Sequence, residues 1–222
     1  MSEVTTIGFW RDGVIRSGPE NMAVDSWLLE REQEPLLRVY DWRGDWGSLG
    51  YFGAVAEARA MMPGVSLVRR ATGGGIVDHR HDRTYTLVLP RGCGLAGRRG
   101  NESYRVIHSA LAEVLREAGA DVSLVKEDFP VESPACFERP VAWDLVDGKG
   151  DKVAGAGQRR SRKGLLHQGS VMFGGGVDGD ALFGSLADRL AEEVSRIRRE
   201  PPGEDIAALV DQFSSPSWTE RR

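Results

Sequence analysis

The stretch of sequence that decides the fold runs from residue 134 to residue 173 and contains four segments: PACF (134–137), VAWDLV (141–146), KVAGAGQR (152–159) and LLHQGS (165–170). This pattern predicts a cysteine on a loop, then a short apolar strand, a turn and two further strands. Small residues follow Lys152, so the backbone there can approach a ligand closely. A lysine also favours the thiolate of a neighbouring cysteine, here Cys136. The combination indicates acyl chemistry.

A glycine-rich segment, RRATGGGIVDH (69–79), lies upstream of this stretch. It joins a predicted strand at 65–70 to another at 84–90, which predicts a hairpin-like unit. The strand-to-helix setting of a Walker or dinucleotide-binding loop is therefore excluded. Three consecutive glycines let main-chain atoms lie against a ligand, and their N–H groups can converge on a carbonyl or phosphate. The alternative is a flexible turn that binds nothing.

The remaining segments predict helices that alternate with groups of strands. Apolar residues recur at helical spacing in 21–30, in 103–118 and in a stripe that starts near 178 and runs from Leu182 through Val194 to Ile197. A strand is predicted at 36–42, a short helix at 54–62 and a final helix around 206–213, followed by a polar, loose tail. Strands in hairpins with helices between the groups predict an α+β fold rather than a doubly wound α/β fold.

Composition limits the class of protein. The 222 residues suit one domain, and a 41% hydrophobic, 28% charged composition is that of an ordinary globular protein. The formal charge of −4 gives no basic footprint, so nucleic acid is not an expected partner. Two cysteines, Cys93 and Cys136, are too few for a disulfide scaffold. No signal segment or membrane-length apolar run is visible, which predicts a cytoplasmic protein without a membrane partner.

Taken together, the glycine-rich segment and the stretch from 134 to 173 resemble the lipoate-protein ligase and octanoyltransferase family of the biotin/lipoate ligase superfamily. The chain is most similar to the cysteine-dependent octanoyl-[carrier protein]:protein N-octanoyltransferases of the ligase-like branch. Those enzymes show an Ala-Cys-Phe element, a strand, and then Lys-Val-Ala-Gly with a Gln-Arg end. The resemblance implies a mixed, largely antiparallel sheet flanked by helices. It also implies a single catalytic domain over 1–222, without a separate C-terminal accessory domain.

The resemblance also implies a set of site residues. Cys136 is the expected nucleophile, and Lys152 is expected to supply positive charge and to hydrogen-bond the acyl carbonyl. Taken on the residues alone, Cys136 could instead be a buried small hydrophobe and Lys152 a solvated turn residue. The spacing of His79 and His81 is not that of a zinc motif, so no metal site is expected. The expected substrate-binding residues are Arg69, Arg70, Gly73, Gly74, Gly75, His79, Gly155 and His167.

The activity implied is transfer of an octanoyl or lipoyl group from a carrier-protein thioester, through a Cys136 acyl-enzyme, to a lysine of a lipoyl domain. The expected partners are acyl carrier protein and either the lipoyl domains of 2-oxoacid dehydrogenases or the glycine-cleavage H protein, and no cofactor is required. One alternative is a lipoate-protein ligase that uses ATP and Mg²⁺ to form an acyl-adenylate. Another is a non-catalytic lipoyl-binding module. The family's ligases show Ser-Gly-Ser-Ala where this chain has AGAG (154–157), which removes hydroxyls that could bond an adenylate and favours the transferase.

Overall fold

The computed structural model describes residues 4–98, 101–126, 140–172 and 178–221. The strands are β1 (Val4–Arg11), β2 (Leu36–Tyr40), β3 (Trp46–Leu49), β4 (Ser66–Arg69), β5 (Ile76–Asp78), β6 (Arg83–Pro90), β7 (Val122–Leu124), β8 (Leu145–Asp147), β9 (Lys152–Arg160), β10 (Gly164–Val171) and β11 (Ala191–Arg196). The helices are α1 (Gly18–Arg31), α2 (Val55–Met61), α3 (Gly94–Gly97), α4 (Glu102–Glu117), α5 (Gly179–Leu190), α6 (Gly203–Ser214) and α7 (Pro216–Thr219).

Two sheets organise these elements. The large sheet has the order β11-β1-β2-β6-β10-β9-β8-β7, and the small sheet has the order β4-β3-β5. In the large sheet β1 runs parallel to both β11 and β2, whereas every other neighbouring pair is antiparallel. The predicted α+β fold with a mixed, largely antiparallel sheet flanked by helices is therefore confirmed.

Apolar side chains on the two faces of the large sheet form separate cores. On one face Leu165 packs with α4 and α5, through residues such as Leu111 and Phe183. On the other face Leu166 packs with α1, around Leu28. Successive side chains of a strand point to opposite faces, so β10 contributes to both cores.

Helix α1 has a well-defined start. The backbone N–H and hydroxyl of Ser17 both donate to the Glu20 carboxylate, at 2.7 and 2.6 Å, and Pro19 lies in the first turn. These contacts fix the end of α1 that carries Asn21 and Met22, and Met22 lies beside the cavity described below.

A buried ionic cluster joins α1 to the large sheet. The Arg38 guanidinium, which is fully buried, contacts Asp12 Oδ2 at 2.8 Å and Asp25 Oδ1 at 2.7 Å. Asp25 Oδ2 accepts from Tyr40 Oη at 3.1 Å and from Gln168 Nε2 at 2.7 Å. Each buried charge thus has a partner, as burial of an ion requires.

The structure corrects three of the sequence predictions. Strands β4 and β6 do not form a hairpin, because β4 pairs with β3 in the small sheet and β6 lies in the large one. The last apolar stripe is helical only to Leu190, after which Val194 lies in β11 and pairs with β1. The tail is not loose, since α7 packs Trp218 edge-on against Phe213 with ring centroids 5.2 Å apart. Strand β1 was not predicted at all.

Candidate active site

A cavity of about 460 Å³ is lined by residues of both sheets and of α1, a volume within the ~300–1,000 Å³ usual for small-molecule sites. Polar groups from Arg70, His79, Lys152, Gln168 and Ser170 line part of its wall. The apolar part of the wall suits an alkyl chain, and its larger side chains are Met22, Trp42, Met61, Met62, Ile76 and Met172.

The ammonium of Lys152 is held by a buried carboxylate. Lys152 Nζ lies 2.7 Å from Asp144 Oδ2, and the Asp144 side chain has no exposed surface, whereas that of Lys152 is 33% exposed. Tyr104 Oη donates to Asp144 Oδ1 at 2.5 Å and accepts from the Ala156 N–H at 2.8 Å. Burial, and after it the Asp144 charge, raises the pKa of Tyr104 well above its ordinary value. Tyr104 therefore stays neutral and remains a donor.

Gly155 leaves the space that the lysine side chain occupies. A Cβ at this position would stand 2.4 Å from Lys152 Cε and 2.6 Å from Nζ. Any larger residue at 155 would displace the ammonium, so the prediction that Gly155 belongs to the site has a steric basis.

The three-glycine loop lies between two other glycines. A Cβ on Gly50 would stand 2.0 Å from the Gly74 carbonyl oxygen, and a Cβ on Gly157 would stand 2.2 Å from the Gly73 carbonyl oxygen. Gly74 itself has φ +93°, which favours glycine. Gly73 and Gly74 thus pack against neighbouring backbone, and of the three only Gly75 lines the cavity.

Arg70 brings a nearly buried cation to the cavity wall. Its Nη1 donates to Ser48 Oγ at 2.6 Å, and its Nη2 donates to the carbonyl oxygens of Gly73 and Gly75 at 3.1 and 2.9 Å. Burial lowers its pKa to about 10, so it is still charged at neutral pH. In the part of the chain that the structure describes, no carboxylate lies within 4.0 Å of this guanidinium. Since Lys152 is paired with Asp144, Arg70 supplies the uncompensated positive charge of this wall.

His79 is held by several neighbours. Its ring stacks on Trp42 with centroids 4.0 Å apart, its Nδ1 lies 2.8 Å from Asp82 Oδ2, and its Nε2 lies 2.6 Å from Ser48 Oγ. Because the Ser48 hydroxyl also accepts from Arg70, His79 and Arg70 are fixed by one chain of hydrogen bonds. His79 lines the cavity.

The chain matches the family model of the lipoyl protein ligase A/B catalytic domain over residues 17–214. It belongs to this family.

Named relatives within the lipoyl protein ligase A/B family agree with that assignment. Octanoyltransferase LipM from Kyrpidia tusciae is 34% identical over 220 residues, which covers 90% of this chain and 77% of the relative. Octanoyltransferase LipM from Carboxydothermus hydrogenoformans is 34% identical over 225 residues, covering 95% and 80%.

Solved structures share the fold at lower identity. A lipoate-protein ligase A bound with ATP has a TM-score of 0.70 and 17% identity, and covers 99% of both chains. A bipartite lipoate protein ligase from Thermoplasma acidophilum has a TM-score of 0.68 and 17% identity, covering 99% of this chain and 97% of that one. At this identity the likeness shows the fold of the family.

Two of the residues predicted for substrate binding lie elsewhere. The Arg69 guanidinium donates to backbone carbonyl oxygens, among them those of Gly53 and Thr219, both at 2.7 Å. It therefore holds the tail of the chain and does not line the cavity. His167 is fully buried on the opposite face of the large sheet, where Tyr85 Oη lies 3.0 Å from its Nε2. Burial lowers its pKa well below 6.5, so it is a neutral core residue.

The sequence did not single out Asp144 or Tyr104 as site residues. Asp144 is the only charged residue in the apolar segment VAWDLV, and that signal could have identified it. Tyr104 belongs to the apolar helical pattern of 103–118, and its hydroxyl gives no further signal. Cys136, the predicted nucleophile, lies outside the described residues. Cys93 is a free thiol that packs against the core on the α4 and α5 face of the large sheet.

The described residues contain no cluster of three or more His, Cys, Asp or Glu side chains suited to a metal ion. No helix among them has the length and apolarity needed to cross a membrane.

Proposed function

We propose that this protein transfers an octanoyl group from a carrier-protein thioester to a lysine of a lipoyl domain, with Cys136 as the intermediate acyl carrier. The observation that carries the proposal is the Lys152 ammonium at the wall of a cavity with a largely apolar lining. The relatives of this protein are named octanoyltransferases, which agrees with this chemistry. Pro140, the first described residue after Cys136, is followed by Val141, whose N–H donates to the carboxylate that holds Lys152.

The first step is thioester exchange. The Cys136 thiolate attacks the carbonyl carbon of the octanoyl thioester and forms a new C–S bond. The carrier's sulfur leaves as a thiolate and takes up a proton. One sulfur replaces another, so the step needs no energy source. Positive groups at the wall, Lys152 and Arg70, suit the negative charge that develops on the acyl oxygen.

The second step forms an amide. The neutral amine of the acceptor lysine attacks the acyl-Cys136 carbonyl, a C–N bond forms, and the C–S bond breaks. Cys136 leaves as a thiolate, and the proton lost by the amine restores its thiol. This scheme requires neither ATP nor a metal ion.

The expected acyl donor is an acyl carrier protein. The expected acceptors are the lipoyl domains of 2-oxoacid dehydrogenases or the glycine-cleavage H protein. One of the fold's solved relatives is a lipoate protein ligase reported with its E2 lipoyl domain, which supports an acceptor of that class.

The test is the intact mass of the purified protein after incubation with octanoyl carrier protein and no ATP. We expect one mass increase equal to an octanoyl group, reversed by hydroxylamine, absent in Cys136→Ala and retained in the matched control Cys93→Ala. Adding a lipoyl domain should then move the mass increase to that domain. Lipoate-driven or octanoate-driven ATP–pyrophosphate exchange that persists in Cys136→Ala would identify a ligase instead. Acyl binding with no turnover from any donor would identify a binding module.

A further inference from the structure

Asp144 makes contacts that converge on the amine of Lys152. Its Oδ2 accepts from Lys152 Nζ at 2.7 Å and from the Val141 N–H at 2.9 Å. Its Oδ1 accepts from Tyr104 Oη at 2.5 Å. The carboxylate has no exposed surface, so its charge is balanced from within the protein.

Tyr104 ties this carboxylate to the strand that carries the lysine. Its hydroxyl bridges Asp144 on one side and the Ala156 N–H of β9 on the other. Lys152 is the first residue of the same strand. The distance between Asp144 and β9 is therefore set by hydrogen bonds to both, and the missing side chain of Gly155 leaves one space into which the ammonium fits.

We propose that Asp144 is a positioning residue for Lys152, supported by Tyr104, in the acyl transfer proposed above, on which this inference rests. The four-carbon stem of a lysine side chain is flexible and adopts many conformations. Asp144 holds it in one of them before the acyl group arrives. An ammonium has three donors, so one can bind Asp144 while the others face the acyl oxygen.

Asp144→Asn keeps the shape of the side chain and removes its charge. We expect kcat to fall about 10²-fold, the usual effect of displacing a reacting group by ~1 Å, with the KM for the acyl donor within about threefold. Tyr104→Phe removes only the supporting hydroxyl, so kcat should fall by a smaller factor. The matched control is Asp147→Asn. Asp147 is a partly exposed acid close in sequence whose carboxylate accepts from the backbone N–H groups of Lys149 and Asp151 and, unlike that of Asp144, forms no ion pair with Lys152.

A double-mutant cycle separates positioning from general damage to the fold. If Asp144 acts through Lys152, then Asp144→Asn combined with Lys152→Gln should be no slower than Lys152→Gln alone. The proposal would be overturned if the kcat losses of the two single variants multiplied in the double variant. It would also be overturned if Asp144→Asn left kcat unchanged or altered only KM. Should Asp144→Asn fail to fold, the same cycle can be run with Tyr104→Phe.

A second readout does not depend on activity. Acetylation of lysines by N-hydroxysuccinimide acetate, read by peptide mass spectrometry, measures how freely each amine reacts. Lys152 should acetylate severalfold faster in Asp144→Asn than in the wild type, with the exposed Lys149 as internal reference. An unchanged rate at Lys152 would overturn the proposal. If the wild type accepts no octanoyl group but Lys152 still acetylates faster in Asp144→Asn, the proposed function is refuted while the positioning contact stands.

Discussion

Replacing Gly157 by alanine tests whether the three-glycine loop must lie directly against β9. The new Cβ would stand 2.2 Å from the Gly73 carbonyl oxygen and 2.9 Å from Thr72 Oγ1, whereas ordinary contact begins near 3.4 Å. The obstructing oxygen is backbone and cannot rotate away. The loop and the strand must therefore separate by about 1 Å.

The size of the effect follows from that separation. Overpacking of this kind costs about 1–3 kcal/mol, and in a protein of this length each kcal/mol lowers Tm by roughly 2–4 °C. We therefore expect Tm to fall by about 2–12 °C. Arg70 donates to the carbonyls of Gly73 and Gly75, so it should move with the loop. A shift of ~1 Å in such a group costs about 10²-fold in kcat.

The assay pairs thermal unfolding with octanoyl transfer, and Gly184→Ala is its control. A Cβ on Gly184 meets nothing within 4 Å, and this residue lies inside α5. That substitution should leave transfer unchanged and raise stability by up to about 1 kcal/mol, since alanine favours helix. A Gly157→Ala protein that melts and turns over like the wild type would show that the loop is not confined, and the steric argument would be wrong.

Three further predictions concern stability. Arg69→Met should lower the free energy of unfolding in urea by about 3 kcal/mol, because several backbone carbonyls lose a charged donor. The control Arg59→Met breaks an exposed ion pair and should change that free energy by less than about 1 kcal/mol. Equal effects of the two substitutions would contradict this prediction. Arg38→Met should cost about 3–5 kcal/mol in guanidinium chloride, because the buried Asp25 loses its cation and the buried Asp12 is left with Arg16, and a neutral result would refute the pairing. Burial lowers the pKa of His108 from 6.5 to about 4, so the folded state binds fewer protons than the unfolded one between these values. Its contribution to stability is complete above pH 6.5 and should be lost as pH falls toward 4, at about 1.4 kcal/mol per pH unit, and His108→Asn should reduce that slope.

Periodic segments of the sequence predicted their own structure well. The apolar face of α4, from Tyr104 to Leu115, is buried as expected, and the segments at 152–159 and 165–170 form β9 and β10. The pairing of strands was not predicted, because β4 carries no signal that names β3 as its neighbour. Val194 continued a helical spacing by coincidence and joined a sheet edge that the sequence does not reveal.

The candidate site, like the fold, was only partly predictable from the sequence. Arg70, His79 and Lys152 reach one cavity although they are distant in sequence. His167 belongs to the stretch from 134 to 173 that also contains Lys152, but its side chain points to the other face of the large sheet, while its neighbour Gln168 lines the cavity. Adjacent strand residues alternate between faces, and a motif does not state which face is which.

The consecutive residues Arg69 and Arg70 have one further consequence. Arg69 donates to carbonyls of the C-terminal segment, including that of Trp218, while Arg70 provides the unpaired charge of the cavity wall. The last helix and the cavity are thus contacted by two consecutive residues of the chain. Alterations near the end of the chain that displace Arg69 are therefore expected to move Arg70 as well, so the C-terminal helix would influence the proposed acyl site from a distance.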